Sequence, residues 1–98
     1  PGDGRPALLY FSSADCAPCR WQQAPIVDSL RRTLGDTVRF EEVDAVANPE
    51  LARRYKVLTL PTTVIVAPDG EVVAINYGVA QAGRLSEQLS RAGRPGRP

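Results

Sequence analysis

Apolar runs and polar breaks alternate along the chain in a pattern that predicts short strands and amphipathic helices. Four apolar runs have the length of strands: 7–11, 37–44, 62–67 and 71–77. Three stretches have helical spacing: 16–34, 49–55 and 80–91. The predicted order is therefore β-α-β-α-β-β-α. This order is typical of an α/β fold with a four-stranded mixed sheet and helices on both of its faces.

Residues with strong local preferences mark the ends of these elements. Asp15 or a nearby serine is predicted to cap the first helix, and Gly35 to end it. Asn48 precedes Pro49, which is typical of a helix start. Pro25 falls inside the first helix, where it removes one backbone hydrogen bond and predicts a bend. The expected apolar face of that helix is Trp21, Ile26, Leu30 and Leu34.

The kind of connection between two strands predicts their relative direction. The first two strands are joined through a helix, so they should be parallel, because such crossovers connect parallel strands. The sequence Pro-Asp-Gly at 68–70 predicts a turn between the last two strands, which should form an antiparallel hairpin. We expect one domain over residues 7–91, a linker at 1–6 and a disordered tail at 92–98.

Composition and charge exclude several classes of protein. The 98 residues carry 12 basic and 11 acidic side chains, for a net charge of +1. This balance gives no electrostatic basis for binding nucleic acid or an anionic membrane. No apolar run reaches the length of a membrane span, and no signal peptide opens the sequence. We expect a monomer and favour a cytoplasmic location. The chain lacks methionine, however, so an excised or processed form, membrane-anchored or extracytoplasmic, is the alternative.

The only two cysteines, Cys16 and Cys19, lie between the first strand and the first helix. A thiolate at a helix N-terminus faces unpaired N–H groups and the positive end of the helix dipole, so Cys16 is a candidate nucleophile. Cys19 lies one helical turn further on, within reach of a disulfide. Asp15 disfavours the Cys16 thiolate by like-charge repulsion, and Arg20 favours it, so the two charges are expected to tune the pKa of Cys16 in opposite directions.

Two other interpretations of the cysteine pair are open. One is a static disulfide or a pair of inert thiols, although so short a loop makes a poor structural cross-link. The other is a metal or iron–sulfur site shared between two chains. The sequence contains no histidine, so one chain alone has too few ligands of the usual kinds. We therefore predict no metal site and no cofactor.

The sequence Cys16-Ala17-Pro18-Cys19 at the start of a proline-containing helix resembles the thioredoxin family. Residues 58–62, Leu-Thr-Leu-Pro-Thr, look like the cis-proline loop of that family. The resemblance extends over about residues 8–89 and implies a thioredoxin-like fold. It also implies that Pro61 packs against the cysteines and that the Leu60 backbone pairs with an extended substrate. Ala17, Pro18 and Leu60 would form an apolar rim around Cys16.

Two departures concern the buried charges of the family. The position of its buried acid is taken by Tyr10, and that of the companion lysine by Phe40. Losing both members together keeps the core electrically balanced. In the family the acid helps to deprotonate the resolving cysteine, so Glu41 or Glu42 is a candidate to replace it through water. Thioredoxins also begin with an additional strand and helix, where this chain has a few loop residues.

The resemblance implies a thiol–disulfide oxidoreductase that reduces protein disulfides through a Cys16/Cys19 cycle. Its partners would be a disulfide-bearing protein substrate and an upstream thiol reductant. Two alternatives are a non-catalytic binding module with this fold and a membrane-tethered extracytoplasmic thiol reductase. Trp21, two residues after Cys19, is either a substrate contact or a partly buried residue packed on the sheet.

Overall fold

A computed structural model describes residues 3–96 and contains one four-stranded sheet flanked by helices. The strands are β1 (Ala7–Ser12), β2 (Arg39–Asp44), β3 (Thr62–Val66) and β4 (Val72–Tyr77). The α-helices are α1 (Ala24–Leu34), α2 (Pro49–Arg54) and α3 (Ala82–Ala92). The strand order is β2-β1-β3-β4, with β1 parallel to β2 and antiparallel to β3. β3 and β4 form the antiparallel hairpin, so the predicted mixed sheet is confirmed.

β1 is a central strand, and both of its faces are buried. All of its residues from Ala7 to Ser12 are buried, which agrees with its uninterrupted apolar sequence. Leu8 and Tyr10 belong to one core cluster, with side chains of α1 and α3. Leu9 and Phe11 belong to a second cluster on the other face, with side chains of α2. β1 therefore holds the two halves of the core together.

The first helix is interrupted by a π-helical turn. Its helical backbone begins at 17, forms the π turn at Cys19–Gln23 and continues into α1. The Ala24 N–H donates to the Cys19 carbonyl, five residues back. A π turn accommodates one extra residue, and in this helix it ends at Gln23, just before the turn that contains Pro25. The irregularity predicted from Pro25 therefore takes the form of a widened turn.

Trp21 does not lie on the buried face of the first helix. It is 73% exposed, so of its two interpretations the partly buried residue packed on the sheet is wrong, and the substrate contact stays a prediction. Val27 and Leu30 are the buried residues of α1. Regular helical spacing, about 100° per residue, already separates Trp21 from Leu30 by half a turn of the helix. The expected apolar face should therefore not have included Trp21.

Several element boundaries and one cap differ from those expected. A 3₁₀ turn at Gly35–Thr37 separates α1 from β2, which begins at Arg39 rather than at 37. Asn48 precedes α2 as expected, but its side chain donates to the Asp44 carbonyl (2.9 Å) instead of capping the helix. α3 begins at Ala82, two residues late, and includes the buried Ala92.

The chain ends are described only in part. Pro6 is buried before β1, and its carbonyl accepts the Arg39 N–H at 2.9 Å. The expected linker at 1–6 and tail at 92–98 both extend to positions outside the described residues. These domain boundaries stay predictions.

Candidate active site

The two cysteines lie where the chain leaves β1 and enters the first helix. Cys16 immediately precedes the helical backbone, and it is joined to Cys19 by a disulfide with a Cα–Cα distance of 5.3 Å. Cys16 is half-buried, whereas Cys19 is only 2% exposed. Of the two sulfur-bearing residues, Cys16 is thus the one that a large substrate can reach.

The Cys16 sulfur occupies the position of a helix-capping group. The Cys19 N–H points at the Cys16 Sγ at 3.1 Å, and the Cys16 N–H donates to the Ser13 carbonyl at 3.2 Å. A side chain just before a helix commonly accepts the amide three residues on. Contrary to the expectation, within residues 3–96 this acceptor is the cysteine itself, not Asp15 or a serine. The same geometry favours a thiolate at Cys16 once the disulfide is reduced.

The charged neighbours expected to tune Cys16 are both exposed. Arg20 donates its N–H to the Cys16 carbonyl at 3.2 Å, and its guanidinium donates to the Ala14 carbonyl at 2.8 Å. Its side chain is therefore held along the loop that follows β1. Asp15 lies in that same loop. Their effect on the pKa of Cys16 stays a prediction.

The proline loop lies against the same core cluster as the cysteines. The Leu60–Pro61 peptide bond is cis, as expected from the sequence, and Pro61 is buried. Leu60 and Cys16 are both partly buried and pack against the cluster that contains Cys19. The rim residues Ala17 and Pro18 are exposed. The apolar rim around Cys16, and its contact with substrate, stay predictions.

One backbone pairing fixes the proline loop and leaves Leu60 open. Gly78 has a φ of 82°, a conformation that suits glycine, and its N–H donates to the Pro61 carbonyl at 2.9 Å. The Thr62 hydroxyl donates to the Thr59 carbonyl at 2.6 Å. Across residues 3–96 no partner is seen for the backbone N–H and C=O of Leu60. These groups are available to an extended peptide.

Tyr10 lies beneath Cys19 and contacts it through the backbone. Its hydroxyl donates to the Cys19 carbonyl at 2.7 Å. Burial, and secondly the charge of Glu42, raise the pKa of Tyr10 to about 12. The hydroxyl is therefore neutral, and a donor, at physiological pH. The sequence marked Tyr10 only as a replacement for an acid and did not reveal this bond.

A second residue that sequence reasoning missed is Gln23, at the end of the π turn. Gln23 is fully buried, and its amide donates to the Ala80 carbonyl (3.0 Å) and accepts the Ala80 N–H (2.8 Å). This pair of bonds joins the cysteine-bearing turn to the segment before α3. The available signal was a polar residue four positions from both Cys19 and Val27, on the face of the helix that they share.

The described part of the chain contains neither of two other kinds of site. Between residues 3 and 96 no helix combines the length and apolar character needed to cross a bilayer. Nor do these residues form a cluster of three or more His, Cys, Asp or Glu side chains suited to hold a metal ion.

Comparison with known proteins agrees with this geometry. Residues 3–90 match the family model described as TraF, F plasmid transfer operon protein. Thioredoxin of Bacillus subtilis is 33% identical over 84 residues, which cover 86% of this chain and 79% of that protein. Thioredoxin of Mycolicibacterium smegmatis is 34% identical over 93 residues, covering 93% and 81%. The X-ray structure of Fasciola hepatica thioredoxin aligns with a TM-score of 0.78 at 35% identity, covering 91% of this chain and 82% of that one.

Proposed function

This chain is a thioredoxin-like protein and a member of the TraF family, and on that premise we propose that it reduces protein disulfides through Cys16 and Cys19. Its relatives and its cysteine pair support thiol–disulfide oxidoreductase activity in general. The observation that carries the reductase proposal is the asymmetry of the pair. Cys16 is accessible and caps a helix, whereas Cys19 is 2% exposed.

This asymmetry supports the following order for the two steps of the reaction. The Cys16 thiolate attacks a sulfur of the substrate disulfide, and the other substrate sulfur leaves as a thiolate. A mixed disulfide joins Cys16 to the substrate. Cys19 then loses its proton and attacks the Cys16 sulfur, which releases the second substrate thiolate and forms the Cys16–Cys19 bond. An upstream thiol reductant returns the pair to the dithiol.

The surroundings of Cys16 support a substrate class. Ala17, Pro18 and Leu60 offer apolar contacts, and the Leu60 backbone offers one donor and one acceptor. An extended peptide segment that carries a disulfide matches this combination, because strand-like pairing supplies affinity with little sequence preference. We therefore propose protein disulfides, rather than small charged disulfides, as substrates of a monomeric reductase.

Redox equilibration tests the proposed direction of electron flow. The protein is equilibrated in glutathione buffers of defined potential, and the cysteine state is read by Trp21 fluorescence and by thiol trapping with mass analysis. The references are about −270 mV for thioredoxin and about −120 mV for a strong periplasmic oxidant. We expect a value near the first. A value near the second would reverse the direction of the reaction and keep the site.

Turnover separates a reductase from a binding module. We expect the wild-type protein to reduce insulin disulfides over many cycles in the presence of dithiothreitol. Cys16→Ser should abolish the activity, because it removes the attacking sulfur. Cys19→Ser should instead stop after the first step with a mixed disulfide at Cys16. If the Cys16/Cys19 pair forms no mixed disulfide and shows no turnover, the reductase proposal is wrong and a non-catalytic binding module is favoured.

A further inference from the structure

An open groove of about 600 Å³ borders the buried cysteine. Tyr10 and Ser12 of β1, Glu42 of β2 and Cys19 of the π turn contribute to its walls. Tyr10 and Glu42 are direct partners in the parallel β1–β2 register, so their side chains lie side by side on the face of the sheet that carries the cysteines. The groove has polar side chains in its walls and enough volume to hold water molecules.

One carboxylate of the groove, that of the exposed Glu42, is hydrogen-bonded to a buried neighbour. The Ser12 hydroxyl donates to the Glu42 carboxylate, Oγ to Oε2, at 3.1 Å. The Asp44 carboxylate lines the same groove, but it accepts the backbone N–H groups of Val46 and Ala47 at 2.9 and 3.2 Å. Asp44 is therefore committed to the turn after β2. Glu42 is the register partner of Tyr10, whereas Asp44 lies two positions further on, opposite Ser12.

The reaction requires a proton acceptor at this place. Cys19 is buried, and burial in apolar surroundings disfavours the thiolate that must attack the mixed disulfide. Tyr10 cannot accept the proton, since its hydroxyl is neutral at physiological pH and donates to the Cys19 carbonyl. The one cation lining the groove, among the residues that the structure describes, is Arg20, which is not a base.

We propose that Glu42, positioned by Ser12, accepts the Cys19 proton through a water molecule in the groove when the mixed disulfide is resolved. In this step the Cys19–Cys16 S–S bond forms and the bond from Cys16 to the substrate breaks. The substrate sulfur leaves as a thiolate with the electron pair, and the Cys19 proton passes through water to the Glu42 carboxylate. This inference depends on the proposed reductase function and adds the group that serves its second step.

The charges facing the groove define what a pH profile reports. β1 contributes Tyr10, β2 contributes Glu42 and Asp44, and the cysteine-bearing turn contributes Arg20 and Cys19 itself. Asp28 of α1 also acts on the Tyr10 hydroxyl.

Glu41 provides the matched control for Glu42. It lies on the opposite face of β2 and pairs with Arg39. Glu41→Gln therefore removes the same charge from the neighbouring residue and leaves the lining of the groove unchanged.

Rapid quenching tests the role of Glu42. Reduced protein is mixed with a saturating peptide disulfide between pH 5 and pH 10, quenched, alkylated and analysed by mass. We expect Glu42→Gln to accumulate the mixed disulfide and to slow its resolution at pH 7 at least about tenfold, less than the roughly hundredfold of a direct general base. The deficit should shrink at high pH, where hydroxide removes the Cys19 proton. Glu41→Gln should match the wild type, and Ser12→Ala should lose part of the rate.

A matched pair of variants isolates the first step. Cys19→Ser, alone and combined with Glu42→Gln, should form the mixed disulfide at equal rates, because Glu42 does not serve Cys16. If neither forms it, the reductase function itself fails. If both form it and Glu42→Gln resolves at the wild-type rate at every pH, the role of Glu42 is refuted. If Glu42→Gln slows resolution by the same factor at every pH, the role is also refuted, because the loss of a proton acceptor should matter less at high pH whereas a structural defect should not. Glu42→Asp, which keeps the carboxylate, should recover part of the rate.

Discussion

At the scale of single residues, two polar side chains connect the cysteine-bearing turn to the rest of the molecule. Tyr10 donates to the Cys19 carbonyl from below, and Gln23 holds the backbone of Ala80 from the end of the same turn. Both are buried with their hydrogen-bonding groups satisfied, which is the condition under which buried polar groups do not destabilise a core. The reactive turn is thus fixed on two sides while its cysteine sulfurs exchange partners.

The Tyr10 hydroxyl should make stability depend on pH in the alkaline range. Its pKa is raised to about 12 in the folded protein and is about 10 when unfolded. The stability it contributes is therefore complete below pH 10 and is lost as the pH rises through 12. Urea unfolding of oxidised wild type and Tyr10→Phe between pH 8 and 11.5 measures it. The wild type should be more stable by about 1 kcal/mol at pH 8, and this advantage should shrink above pH 10. An advantage that stays constant would contradict the prediction.

Replacing Gln23 should destabilise the fold. Gln23→Ala leaves the N–H and C=O of the buried Ala80 without their partner and opens a cavity. We expect the free energy of unfolding to fall by about 1–3 kcal/mol. The exposed neighbour Gln22 is the control, and Gln22→Ala should change stability by less than about 0.5 kcal/mol. Equal effects of the two substitutions in urea titrations would rule out the bridging role.

At the scale of elements, α3 is attached to the sheet by both apolar and polar contacts. Leu85 and Leu89 are buried on its inner face. The Gln88 amide donates to the Asn76 Oδ1 of β4 (2.9 Å) and accepts from the Asn76 Nδ2 (2.8 Å). Because Gln23 is bonded just upstream of α3, this attachment also supports the cysteine-bearing turn.

The core contact of α3 can be tested by truncation. Leu85 is 0% exposed, and Leu85→Ala should lower the free energy of unfolding by about 2–5 kcal/mol, because it removes apolar contacts and leaves a cavity. Ser86→Ala on the exposed face is the control and should be close to neutral. Thermal and urea unfolding measure both. A loss below about 1 kcal/mol for Leu85→Ala would mean that α3 is not part of the cooperative core.

At the scale of the whole molecule, two core clusters lie on opposite faces of one sheet, and the disulfide packs with the cluster that includes side chains of α1 and α3. The cross-link closes a sequence separation of three residues. So short a loop restricts the unfolded chain little. The fold should therefore be held by its core, which leaves the disulfide free to open and close.

Reduction should leave the protein folded. With both cysteines reduced by dithiothreitol, we expect an unchanged circular dichroism spectrum and a free energy of unfolding lower by about 2 kcal/mol. The double variant Cys16→Ser/Cys19→Ser should behave like the reduced protein. Unfolding upon reduction would indicate a structural cross-link and would count against a reductase cycle.

The strongly patterned parts of the fold and site could be predicted from the sequence. β1, β3 and the hairpin followed from apolar runs and one turn sequence, and the cis bond before Pro61 followed from a resemblance in residues 58–62. Two expectations about single side chains failed. Trp21 was included in the apolar face of the first helix because it is apolar, although regular spacing separates it from Leu30 by half a turn, and it is exposed. Asn48 lies directly before α2 as expected, but its side-chain amide donates to the Asp44 carbonyl and does not cap the helix.

By itself the sequence determined the order of the elements, the position of the cysteine pair at a helix start and the family resemblance. All three depend on residues close together in the chain, where periodicity and backbone preference act directly. Only the tertiary structure decided that the Cys16 sulfur is the helix cap, that Tyr10 bonds the Cys19 carbonyl, and that Glu42 rather than Glu41 borders the groove. The last two depend on strand register and on which face of the sheet a side chain occupies. A shift of one residue reverses that face, and register is set by the packing of the whole core.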